Sequence, residues 1–180
     1  MATGAHVDRL RSSWGWLAVL GAISLIGGIL ALINPFAATF AAVLLAGWTF
    51  LLFGVVQIMQ AFRITGWSGF LWSLLLGVLT AAVGISLLLN PTAGALSLTI
   101  VVAVLFLVVG VVKIMYAFSL RPISGWGFAA LSGVISILLG IMILADYPWS
   151  AAAVLGVLLA IELLSNGIFL LIVALGLRKV

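Results

Sequence analysis

Gly54-Val-Val-Gln-Ile-Met-Gln-Ala-Phe62 returns 56 residues later as Gly110-Val-Val-Lys-Ile-Met-Tyr-Ala-Phe118. The repeat extends outward from this stretch. Small residues recur at the same interval: Gly21, Ser24 and Gly28, then Gly77, Thr80 and Gly84, then Gly133, Ser136 and Gly140. Each set precedes a turn, Asn34-Pro35, Asn90-Pro91 and the altered Asp146-Tyr147-Pro148, and a second apolar run follows each turn. Self-similarity at a fixed period marks one supersecondary unit used several times. The unit here is a helical hairpin, used three times, over about 14–63, 67–119 and 126–177.

Of the 180 residues, 67% are hydrophobic and 6% are charged, against roughly 25% charged in a soluble fold. Six apolar segments, roughly 14–33, 36–62, 67–89, 93–118, 126–145 and 149–177, each meet or exceed the ~20 residues that a helix needs to cross the hydrocarbon core. The sequence therefore predicts an all-α integral membrane protein. It has six transmembrane helices, arranged as three tandem parallel hairpin repeats, behind a short tail at 1–13. The first segment follows Arg9 and Arg11, as a signal peptide would. Its apolar run is longer than a signal core, no clear Ala-x-Ala site follows, and it matches internal segments of the later repeats. It reads as a retained span.

The charges predict orientation. Arg9 and Arg11 precede the first helix, Arg63 follows the second, Arg121 the fourth, and Arg178 and Lys179 the sixth. Lys113, near the end of the fourth helix, can snorkel toward the same side. The opposite turns carry only Asp146. The positive-inside rule assigns the basic side, and with it both termini, to the cytoplasm. Trp14, Trp16, Trp67, Trp72 and Trp126 mark the inner boundary, and Tyr147 and Trp149 the outer one. Trp48 lies deeper and reads as lipid-facing or packed bulk. Seven basic residues scattered over loop ends form no basic face, so nucleic acid is not an expected partner. Cysteine is absent, which excludes disulfides and thiolate chemistry.

In hydrocarbon, helices associate through close packing and small residues. At 100° per residue, Gly21, Ser24 and Gly28 fall within about 60° of one another, and the other two sets do the same. Each forms a groove for a neighbouring helix, and its hydroxyl can bond to its own helix or across the contact. The even helices carry matching stripes seven residues apart, Gly47/Gly54, Ala103/Gly110 and Ala160/Gly167. Gly94 reads as part of an outer turn, away from these stripes. Asn accepts backbone donors in a turn, and Pro suits the first position of the following helix.

Glu162 is the residue that a membrane should resist. An ionised carboxylate near the middle of a span costs at least ~2.5 kcal/mol. Asn166 lies one turn further on the same face, about 100–150° from the Ala160/Gly167 stripe. That face is expected to turn toward protein or a wet cavity, as a protonation site or as a hydrogen-bonded packing residue. Lys113 aligns with Gln57 and Leu170 of the other repeats. A Lys113–Glu162 pair would have to bridge an estimated 5–10 Å of depth. His6 stands alone in the polar tail. No catalytic set, metal-ligand spacing or phosphate-cradling loop is present, so neither an enzyme nor a cofactor is expected.

Three tandem hairpins, the Gly-rich odd helices, Leu89-Asn90-Pro91, Gly-Trp-Ser-Gly-Phe (66–70) and Arg-Pro-Ile-Ser-Gly-Trp-Gly (121–127) together resemble the HdeD family of bacterial inner-membrane proteins. The resemblance runs from about Trp14 to about Arg178. It implies a six-helix, multi-pass plasma-membrane protein associated with acid-stress resistance, with no established catalytic or binding residues to transfer. The third turn departs from the Asn-Pro form. Three functions compete: support of envelope integrity or proton balance, a small channel or transporter with Glu162 and Asn166 on the path, and a scaffold for other membrane proteins. The expected partners are the lipid bilayer and either further copies of the chain or other membrane proteins.

Overall fold

The computed structural model describes residues 14–119 and 126–179. The tail at 1–13, with His6, Arg9 and Arg11, lies outside the described residues, as do Arg121 and its neighbours through Gly125 and the side chains of Arg178 and Lys179. Six long helices follow in order: α1 Trp14–Ile33, α2 Pro35–Ala61, α3 Trp67–Leu89, α4 Pro91–Ser119, α5 Trp126–Ala145 and α6 Val154–Lys179. All six are long and apolar enough to cross a membrane. In lipid a spanning segment must satisfy its own backbone, and an uninterrupted helix does so. This is a multi-pass membrane protein.

Helix boundaries fall where local chemistry puts them. Trp67 is the first residue of α3, after Gly66 in an extended conformation, and the described parts of α1 and α5 begin at Trp14 and Trp126. A single residue, Asn34 or Asn90, separates the first two helix pairs, and Pro35 and Pro91 open the helices that follow. Proline fits there because its missing N–H would have no partner in the first turn. Asn34 Oδ1 accepts a hydrogen bond from the Ala37 N–H at 3.1 Å. The third turn is longer. A 3-10 helix, Trp149–Ala152, precedes α6, so α6 starts at Val154, not at the predicted 149. The Ser150 hydroxyl donates to the Ile143 carbonyl at 2.8 Å and ties this turn to the end of α5.

Tyr147 adds one residue to the third turn, and α6 answers with a shifted register. The buried positions Gly54 and Gly110 are 56 apart, whereas Gly110 and Gly167 are 57 apart. Ala61, Ala117 and Ala174, at most 2% exposed, follow the same 56-then-57 spacing. One inserted residue would turn a helix by about 100° and bring its packing face outward. The displaced stripe cancels that rotation.

The described residues form two compact units, one joining α1, the start of α2 and α6 from Gly156 onward, the other covering Thr39–Leu155. In the first, Ala31, Ala38 and Ala160 form a small core. In the second, Val43, Leu87, Ala95 and Leu155 do so. Gly94 belongs to this second packing. It lies in the first turn of α4, not in a loop, and a Cβ there would come within 2.8 Å of Val43 Cγ1 and 2.9 Å of Leu87 Cδ2. The expected turn position is therefore a buried one, because α4 begins as early as Pro91.

Candidate functional site

The glycine stripes sit where helix backbones approach closely. A Cβ on Gly21 would lie 3.1 Å from the Gly167 carbonyl oxygen, and one on Gly28 would lie 3.0 Å from the Leu164 nitrogen, which packs α1 on α6. A Cβ on Gly77 would meet the Gly54 carbonyl oxygen at 3.2 Å, and one on Gly84 the Gly47 carbonyl oxygen at 2.8 Å, which packs α3 on α2. For Gly140 the neighbour is the Ala103 carbonyl oxygen at 2.9 Å, which packs α5 on α4. Each odd helix thus presses its stripe on an even helix other than the one that follows it in the chain. Backbone is the neighbour in each case, so the contact leaves no room for a side chain.

The hydroxyls in these stripes take different partners. Ser24 Oγ donates across the contact to the Leu163 carbonyl of α6 at 2.8 Å. Thr80 Oγ1 donates within its own helix, to the Leu76 carbonyl at 2.7 Å. Ser136 Oγ donates to the Ser132 carbonyl at 3.0 Å and also accepts from Lys113 Nζ at 3.4 Å. Lys113 Nζ donates to Ser132 Oγ as well, at 3.1 Å. Expected as a snorkelling anchor, Lys113 is half-buried in the α4–α5 contact and held by two hydroxyls. Ser132 was not legible as a partner, because its role depends on which helix lies opposite Lys113.

Glu162 and Asn166 share one face of α6, and both are exposed. The expectation that this face would turn into protein or a cavity is corrected for this chain. Gly167, the packing residue of α6, lies about 140° around the helix from Glu162, so contact with α1 leaves Glu162 outside. Ser165, also exposed, joins them at the third position from Glu162 and was missed by the sequence reading. The equivalent positions in the other even helices are Thr49, Leu52 and Phe53 in α2 and Leu105, Val108 and Val109 in α4, all exposed and, apart from Thr49, apolar. Thr49 Oγ1 bonds to its own Leu45 carbonyl at 2.7 Å, so it presents little free polarity. Among the even helices α6 alone carries a polar cluster on this face.

Thr99 is fully buried and its hydroxyl has no hydrogen-bond partner among the described residues. A groove along α3, lined by Trp67, Ser68, Leu71, Trp72 and Leu75, encloses about 330 Å³ and is mainly apolar. Among the described residues no three His, Cys, Asp or Glu side chains gather as a metal site would require.

The family described as "Short repeat of unknown function (DUF308)" matches residues 19–89 and again residues 75–145. Both limits advance by 56 residues, the interval of the Gly54 and Gly110 stretches. Each match takes in most of one odd helix, the whole even helix after it and the whole of the next odd helix, which is the stretch needed to include a glycine contact such as α2 with α3. No curated protein and no solved structure matches the chain.

Proposed function

The chain belongs to the family of the short repeat of unknown function DUF308, and from that premise we propose that it is a non-enzymatic membrane protein of the acid-stress resistance type, supporting envelope integrity or proton balance in a bacterial inner membrane. HdeD proteins carry this repeat, and the resemblance of the Gly-Trp-Ser-Gly-Phe and Asn-Pro motifs to theirs points the same way. In this reading the six spans are three tandem parallel hairpins with both termini cytoplasmic, the bilayer is the main partner, and nucleic acid is not one.

One observation carries the proposal. Glycine-on-backbone contacts join the helices within each unit, and large apolar side chains are exposed along all six helices. Such helices are built to pack closely and to face lipid, which suits a role in the envelope. The test is survival of a deletion strain in acid, with and without the gene restored. Restored survival with wild-type protein is expected; survival unaffected by deletion would remove the acid-stress reading.

A second reading, a proton path through Glu162 and Asn166, draws support from their place together on one face of a spanning helix. Purified protein in liposomes would separate the two. Proton flux that is lost with Glu162→Gln favours the path, and absence of flux in wild type favours the envelope role.

A further inference from the structure

We propose that the face of α6 carrying Glu162, Ser165 and Asn166 is the surface by which two copies of this chain pair within the membrane. The three side chains are exposed together. Glu162 sits eight residues inside the helix that begins at Val154, about 12 Å along its axis, and the hydrophobic span continues to Leu177. Lipid offers no hydrogen-bond partner at that depth, so polar residues there pair with protein or face water.

The choice of a second copy rests on self-complementarity. A carboxyl group accepts, and a hydroxyl and a primary amide each both donate and accept, so the face carries donors and acceptors that match a copy of itself. Copies of one chain insert in the same sense, so a twofold axis along the membrane normal brings this face opposite itself at equal depth. In such an isologous contact Glu162 of one copy meets the amide or hydroxyl of the other, and the reverse follows by symmetry. The cluster occurs once among the three even helices, whose other copies present Leu105 and Val109 or Phe53 at the matching positions. One such face among the described even helices suits a closed dimer. Phe169, 64% exposed and one turn beyond Ser165 and Asn166, extends the contact with apolar surface.

Because the chain has no cysteine, a single introduced one reports the contact without background. Oxidative cross-linking of Phe169→Cys, in native membranes and in lipid nanodiscs, should give a dimer of this chain. Leu105→Cys, on the equivalent face of α4, should remain monomeric. Adding Glu162→Leu and Asn166→Val, the residues found in α4, should reduce the dimer roughly tenfold, the loss expected for one or two interhelical hydrogen bonds in lipid. Glu162→Gln, which keeps hydrogen-bonding capacity, should retain it. An unchanged thermal unfolding midpoint would show that the double variant still folds; if it does not fold, Asn166→Val alone serves, with the same expectation of a weaker dimer. The proposal is overturned by a dimer indifferent to these substitutions, by equal cross-linking at Leu105→Cys, or by no dimer at all. Cross-linking in native membranes only to a different protein would overturn it too.

Discussion

Gly110 and Gly133 face each other reciprocally: a Cβ on either would lie 2.8 Å from the carbonyl oxygen of the other. Neither backbone can retreat alone, because each is held in a long helix by its own hydrogen bonds. Gly133→Leu should therefore lower stability by about 1–3 kcal/mol, the range for overpacking. Gly127, with nothing within 4 Å of its Cβ position, is the control in the same helix. Thermal unfolding in detergent should separate the two; equal midpoints would show the stripe to be incidental.

Thr99 offers a substitution in the opposite direction. Its hydroxyl is buried without a partner, and the first repeat carries fully buried Val43 at the equivalent position, 56 residues earlier. Valine has nearly the same shape and no polar atom to leave unpaired. Thr99→Val should raise stability by about 1 kcal/mol, the lower end of the cost of an orphaned buried group. A fall in the unfolding midpoint would mean that the hydroxyl has a use.

Lys113 and Ser132 should be energetically coupled. A double-mutant cycle with Lys113→Met and Ser132→Ala is expected to give about 0.6 kcal/mol, the average for an interhelical hydrogen bond in a membrane protein. Lys113→Gln, which installs the residue of the first repeat, should cost less than Lys113→Met because it can still donate to the serine. Additive single effects would reduce the contact to coincidence.

The orientation can be checked chemically. Single cysteines at Thr92 and Arg63 should react with an impermeant reagent from opposite sides of the membrane, Thr92 from outside. Outside labelling of both would overturn the topology.

Much of the architecture was legible because a membrane imposes few and strong rules. Apolar runs of spanning length had to be helices, since no other single segment satisfies its own backbone in lipid. The 56-residue return of Gly21, Gly77 and Gly133 marked the packing stripe, because only a missing side chain lets backbones approach so closely. Helix starts were less legible. Gly94 was misplaced by a few residues because Pro91 begins α4 immediately after Asn90, and α6 starts late because the third turn folds into a 3-10 segment.

Periodicity by itself determined which face of each helix packs, but not which helix it packs against. That decision needed tertiary structure: α1 meets α6, α3 meets α2 and α5 meets α4. A stripe of small residues is a surface without an address, since any helix with a matching stripe could fill it. The same limit applied to Lys113 and Glu162. Both were legible as polar groups inside spans, yet only the fold put Ser132 and Ser136 beside the first and left the second exposed with Ser165 and Asn166. A side chain's depth follows from its position in the helix. Its surroundings follow from the helix that arrives beside it.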